Sequence, residues 1–120
     1  MTRYLISFGA HAMDHIPGPD MPAVARAAHA VAQEAITAGV LVCTGGLEDQ
    51  RASIVAADGT VSDGPHPEAI GGLTISEVPS REEALAWAAK IAVACRCAQE
   101  VRALGPDPEL DEMRRESESA

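Results

Sequence analysis

Between residues 62 and 72 the chain reads Ser62-Asp63-Gly64-Pro65-His66-Pro67-Glu68-Ala69-Ile70-Gly71-Gly72, and this stretch limits the rest of the fold more than any other. It places three glycines and two prolines between two segments patterned as strands. Proline locks φ, and glycine admits φ > 0 that other residues avoid. Backbone fixed this tightly is either a structural corner or the floor of a ligand pocket.

The flanking sequence agrees. Tyr4-Leu5-Ile6-Ser7-Phe8 reads as a first strand, and Gly9 to Pro19 as a loop holding His11, Asp14 and His15. His-x-x-x-His suits a metal only on a helix, and Gly18 with its neighbouring prolines argues against one, so a polar loop or a lone pocket histidine is expected. Asp20 is placed to cap a helix with Pro22 in its first turn, running to about Ala38 before Gly39. Val24, Ala27, Ala28, Val31 and Ala35 recur at the helical period and predict its buried stripe, with Arg26, His29, Gln33 and Thr37 opposite. Val40 to Thr44 is a second strand, ended by Gly45-Gly46, with Cys43 read as a small buried residue. Asp58-Gly59 between two short extended runs predicts a hairpin with a two-residue type I′ turn.

Leu73-Thr74-Ile75-Ser76-Glu77-Val78 alternates as a strand does, and Pro79 stops it. Ser80 with Glu83 makes a capping box. In the helix that follows, Leu85, Ala88, Ala89 and Ala92 are expected inside, with Trp87 and Ile91 at the edges. Trp87 reads as a core anchor or a ligand platform. Cys95-Arg96-Cys97 leads into a last strand, Ala98 to Arg102, on which Glu100 and Arg102 share a face. That pair is either an exposed ion pair or part of a pocket lining. Asp107-Pro108 starts a short helix with Leu110 and Met113 facing inward, and residues from Glu116 on are expected to fray.

At 120 residues the chain is long enough for one domain with a buried core. The formal net charge of −9 disfavours direct binding to nucleic acid or an anionic membrane. No apolar run approaches a membrane span, no signal-peptide pattern opens the chain, and three cysteines without an extracellular context read as reduced thiols. A cytoplasmic location is expected. Aromatic residues are 2% of the chain and alanine fills much of its apolar share, so a thin, closely packed core is expected. Two helices over one antiparallel sheet is an α+β, ferredoxin-like βαββαβ plan. One sheet face is then left for a second copy to cover.

Asp63-Gly64-Pro65, the Gly71-Gly72 pair with its following strand, Arg81-Glu82-Glu83-Ala84-Leu85-Ala86-Trp87-Ala88 and Glu100-Val101-Arg102 resemble the YCII-related proteins, within them the branch named for an Asp-Gly-Pro-Phe motif. The resemblance covers residues 3–104, leaving 105–120 as a C-terminal extension. His66 stands where that family usually has Phe or Tyr, and the loop from Glu68 to Gly71 is shorter. Many relatives carry a helical histidine one residue away from the position of His29. The resemblance implies the same ferredoxin-like fold, a homodimer with sheets packed together, and no cofactor or metal. It also implies a His–Asp pair in a pocket, as in relatives that act as lactone dehalogenases. His11, His29, His66 and Asp63 are the candidates for acid–base chemistry on a small organic acid or lactone. Gly64, Pro65, Glu100 and Arg102 are the candidate binding residues. The alternative is a non-catalytic small-molecule-binding or regulatory module working through a protein partner.

Overall fold

The computed structural model describes residues 1–64 and 69–119. In chain order the elements are β1 (Thr2–Gly9), α1 (Met21–Thr37), β2 (Leu41–Gly46), β3 (Ser53–Val55), β4 (Val61–Asp63), β5 (Ile70–Val78), α2 (Arg81–Cys95), β6 (Glu100–Ala103) and α3 (Pro108–Ser119). The fold is α+β. Strands β2, β5, β1 and β6 lie side by side in that order in one antiparallel sheet, and β3 pairs with β4 in a separate two-stranded sheet.

Register decides which side chains meet the helices. Tyr4 stands opposite Ser76, Ile6 opposite Thr74, and Phe8 opposite Gly72. Val101 pairs with Ile6 on the other side. Side chains alternate along a strand, so these residues and Val78 share one face. Tyr4, Val78 and Ala84 of α2 form the buried cluster there, with Val40, Trp87 and Val101 packed against it. Leu5, Leu73, Ile75, Glu77, Glu100 and Arg102 fall on the opposite face by the same register.

The helix ends follow their local chemistry. Ser80 Oγ accepts from Glu83 N–H at 3.2 Å, as the capping sequence requires. Gly39 closes α1 with φ +73°, a conformation costly for any residue with a Cβ. Arg96 takes the same left-handed region at the end of α2 without being glycine. Asp20 precedes α1 as expected, but its carboxylate binds Arg96 at 2.9 Å instead of capping the helix.

Several expectations are corrected. β2 and β5 run through their glycine pairs rather than stopping at them, because Gly45, Gly46 and Gly72 take part in strand pairing. The Asp58-Gly59 turn is not type I′: only Gly59 has φ > 0, at +89°. Gly59 N–H bonds to Ala56 O, and Ala56 N–H to Thr60 O, which makes a three-residue loop with a glycine bulge. Asp58 accepts from Thr60 N–H at 2.9 Å, and this bond holds its carboxyl below the usual range.

The buried residues of α2 are Ala84, Ala88, Ala94 and Cys95, with Trp87, Ile91 and Ala92 partly buried, while Leu85 and Ala89 are exposed. On α1, Val24 and Ala35 are buried but Ala27 is not. Both helices carry alanine on nearly every side, so their sequence period alone does not set the phase. Cys43 is exposed because β2 is an edge strand and Cys43 shares its pairing with Ile75 on the open face. α3 continues to Ser119, past the point where fraying was expected, and Leu110 and Met113 on it are exposed.

Ile6 is fully buried between β5 and β6, so Ile6→Ala is expected to lower stability by about 2–5 kcal/mol in urea unfolding. Leu85→Ala is expected to cost less than about 1 kcal/mol. A loss at Leu85 as large as at Ile6 would place the buried face of α2 a residue away from where it is described.

Candidate functional site

The sheet and α1 do not close on each other along their whole length. At the end where β2 pairs with β5, the inner face carries Thr44, Thr74, Ser76 and Gly72 in place of long apolar side chains. α1 presents Ala25, Ala28, Ala32 and Ala35 to it. Short side chains on both surfaces leave a cleft of about 1430 Å³, roomier than the few hundred Å³ up to about 1,000 Å³ typical of small-ligand sites. Trp87, Ile91 and Cys95 of α2 line its inner end, and the segment from Gly46 to Ser53 forms a further wall.

Phe8 shapes the floor. A Cβ at Gly72 would lie 2.5 Å from the Phe8 ring, and one at Gly71 would lie 2.9 Å from Gly9 O. The two glycines therefore let the ring lie flat on β5 and let β1 approach it. The sequence suggested a corner or a pocket floor for this stretch, and the glycine pair serves the floor.

At the rim, the segment after β1 winds through successive i→i+3 turns: Ala12 N–H to Gly9 O, Asp14 N–H to His11 O, and Ile16 N–H to Met13 O. In such a winding, residues three apart lie one above the other. His11 Nδ1 and Asp14 Oδ2 are accordingly 2.9 Å apart, and both residues line the cleft. The pair is exposed, with side-chain accessibilities of 89% and 69%. Tautomer decides which ring nitrogen carries the proton, and a carboxylate at Nδ1 favours the tautomer protonated there. His29 also lines the cleft, from the outer part of α1, although the helical period placed it on the polar side.

The other candidates are placed differently. Asp63 ends β4 and accepts a hydrogen bond from Ser53 Oγ at 2.8 Å across the hairpin. Among the described residues, the carboxylate beside His11 is Asp14's, and Asp63 is not among the residues that line the cleft. Gly64 is buried, and its N–H bonds to Ala52 O. Pro65 and His66 lie outside the described residues. Glu100 and Arg102 form an ion pair at 3.3 Å on the sheet face away from α1 and α2, and both are exposed. Glu100 borders a small surface depression with His15, Cys97 and Gln99.

Cys95 is buried in the helix layer, and desolvation, reinforced by neighbouring Cys97, pushes its thiol pKa up. Burial likewise raises Cys97. Neither is an activated nucleophile. Among the described residues no group of three His, Cys, Asp or Glu could hold a metal ion.

The sequence did not single out Phe8, Thr44, Thr74 or Ser76 as site residues. A signal was present in the strand alternation: Gly72, Thr74 and Ser76 occupy successive inward positions where an ordinary core would carry Val, Ile or Leu.

These features define a small α+β protein with an open side cleft and a histidine–carboxylate pair at its mouth. The family model of the YCII-related domain matches residues 19–106, and the chain belongs to that family. None of the curated proteins matches it. The matched stretch takes in α1, β2, β3, β4, β5, α2 and β6 and begins after β1, so His29 falls inside it and His11 and Asp14 fall outside.

Gly72→Ala is expected to force the Phe8 ring off β5 and to cost about 1–3 kcal/mol in stability through overpacking. Combining it with Phe8→Ala should recover part of that loss, because the clash is with the ring. Thermal unfolding of the two single variants and the double variant measures the coupling; strict additivity would show that the ring does not rest on Gly72.

Proposed function

We propose that the protein binds a small organic molecule in the cleft between α1 and the sheet and exchanges a proton with it through the His11–Asp14 pair, without a cofactor. The observation that carries this reading is the 2.9 Å contact between His11 and Asp14 at the mouth of that cleft. A carboxylate bound to one imidazole nitrogen orients the ring, which leaves the other nitrogen to take or give a proton. His29, on the α1 wall, is a second titratable group facing the same space. The substrate class implied by the YCII-related family is a small organic acid or lactone. The Asp63-Gly64-Pro65 sequence supports placement in the Asp-Gly-Pro-Phe branch.

One observation favours a second reading, a binding module without chemistry. His11 and Asp14 are both largely exposed, and a solvated pair exerts weak electrostatic control. NMR titration of the histidines, with and without a panel of short carboxylic acids and their lactones, separates the readings. The acid–base reading expects ligand-dependent shifts in the His11 ring titration that Asp14→Asn alters. Ligand-induced shifts confined to cleft residues, with His11 unaffected, would leave the binding module standing. No response at any cleft residue would overturn both.

We further propose that the strand order and helix placement are those of the ferredoxin-like plan, and that the chain works as a homodimer. The open sheet face carries Leu5, Leu73 and Ile75, none of which α1 or α2 covers. The β3–β4 hairpin exposes Val55 at 66% and Val61 at 61%, and an isolated two-stranded hairpin is marginal in water. The radius of gyration is 16.4 Å, against about 14 Å for a compact chain of this length. Light scattering at micromolar concentration is expected to give twice the chain mass of 12.5 kDa; a monomer would refute the dimer.

A further inference from the structure

Ser76 is the polar group that the fold leaves unexplained. It lies on the helix-facing side of β5, is 2% exposed, and lines the cleft. Among the described residues its Oγ has no hydrogen-bond partner. A buried hydroxyl without a partner is costly, and native structures rarely keep one without a use. Its neighbours differ. Thr74 Oγ1 and Thr44 Oγ1 are 2.7 Å apart, and Thr44 Oγ1 also reaches Leu73 O at 3.2 Å. The two threonines therefore satisfy each other, and the free donor of this hydroxyl row is Ser76.

The surroundings restrict what that donor can meet. Across the sheet Ser76 stands opposite Tyr4 on one side and Leu41 on the other, and Ala28, Ala35, Trp87 and Ile91 are among the residues that line the cleft with it. The charged residues lining the cleft are Asp14, Glu48 and Asp49 against Arg51, with the imidazoles of His11 and His29 beside them, and the whole chain carries −9. An excess of carboxylates around the cleft disfavours an anion, and neither strand neighbour of Ser76, Tyr4 or Leu41, carries a positive charge to neutralise one. A neutral carbonyl needs a single hydrogen-bond donor and no countercharge.

We propose that Ser76 is the specificity-determining residue of the cleft, donating its hydroxyl to the carbonyl oxygen of a neutral, largely apolar ketone or ester in preference to a carboxylate. This rests on the reading of the cleft as a ligand site and narrows its substrate class from organic acids or lactones to uncharged carbonyl compounds, of which a lactone is one. The carbonyl end sits deep on β5, and the rest of the molecule extends along the alanine wall of α1 toward His11 and Asp14. Bond making and breaking are not required of Ser76; it positions the carbonyl.

The test uses the full chain and two probes of equal length, 2-nonanone and nonanoate. Trp87 lines the cleft and is the only tryptophan, so its fluorescence reports occupancy. The ketone is expected to bind more tightly than the carboxylate at neutral pH. Ser76→Ala is expected to weaken the ketone roughly tenfold, the loss of one hydrogen bond, and to leave nonanoate unchanged. The same variant, without ligand, is expected to keep or raise the melting temperature, because it removes an unpartnered polar group; a merely structural serine would lower it. Ser76→Thr keeps the hydroxyl and should retain the preference. If both probes bind with equal affinity, or if Ser76→Ala binds 2-nonanone as tightly as the parent, the cleft is a ligand site but Ser76 does not select its ligand. If neither probe changes Trp87 emission or competes in calorimetry, the cleft reading fails and the assignment of Ser76 fails with it.

Discussion

The contact between the Phe8 ring and the bare backbone of Gly72 sets the geometry from which the cleft follows. β1 and β5 are the central pair of the sheet, and each brings an outer strand with it. Where a side chain would stand on β5 the ring of β1 lies instead, and Gly71 lets the chain near Gly9 approach closely. The inner surface of the sheet is thereby lowered at one end. Ala25, Ala28, Ala32 and Ala35 of α1 line the cleft over that end, and their short side chains leave part of the space unfilled.

The core is consequently uneven. Around Tyr4, Val78 and Ala84, with Trp87 and Val101 beside them, the helix layer rests on the sheet. Each apolar side chain buried there contributes about 1.5–3 kcal/mol relative to exposure. Around Thr44, Thr74 and Ser76 the same two layers enclose a cleft with polar atoms on its floor. Hydroxyls at inward strand positions give up packing energy, and a protein of this size has little to spare. They lie on the cleft side and not on the Val78 side, which is the observation behind the proposal of a binding surface there.

The walls are tied together by modest interactions. Lys90 of α2 reaches Glu34 of α1 at 3.1 Å and stands 5.1 Å from the Trp87 ring centre, and Arg96 holds Asp20 at the other end of α1. Exposed pairs of this kind contribute about 0–1 kcal/mol each. They join α1 to α2 at both ends while adding little to the stability of the fold. The peripheral elements stand apart from this arrangement: the β3–β4 hairpin and α3 expose apolar residues, among them Val55, Val61, Leu110 and Met113, to solvent.

Much of this was legible in the residues themselves. The α+β class, the Ser80 helix start, the Gly39 helix end and the family follow from local signals: alternation, capping chemistry, glycine at positive φ, and motifs in order. These depend on contacts within a few residues, which the sequence writes down directly. The phase of the two alanine-rich helices did not follow, because an alanine helix has no sharply apolar side; Leu85 and Ala89 lost the interior to Ala84 and Cys95 only once α2 met Tyr4 and Val78. The partner of His11 lay three residues away in Asp14, yet it took the i→i+3 winding of that segment to bring the two together. Asp63, marked out by its turn, turned toward Ser53 because the hairpin forms a sheet of its own. The sequence by itself determined which segments are strands and helices, and the ends closed by a capping serine or by a glycine at positive φ. Only the tertiary structure decided that Gly72, Thr74 and Ser76 face a row of alanines across a gap, because the depth of that gap is set by Phe8 and α1 acting from opposite sides.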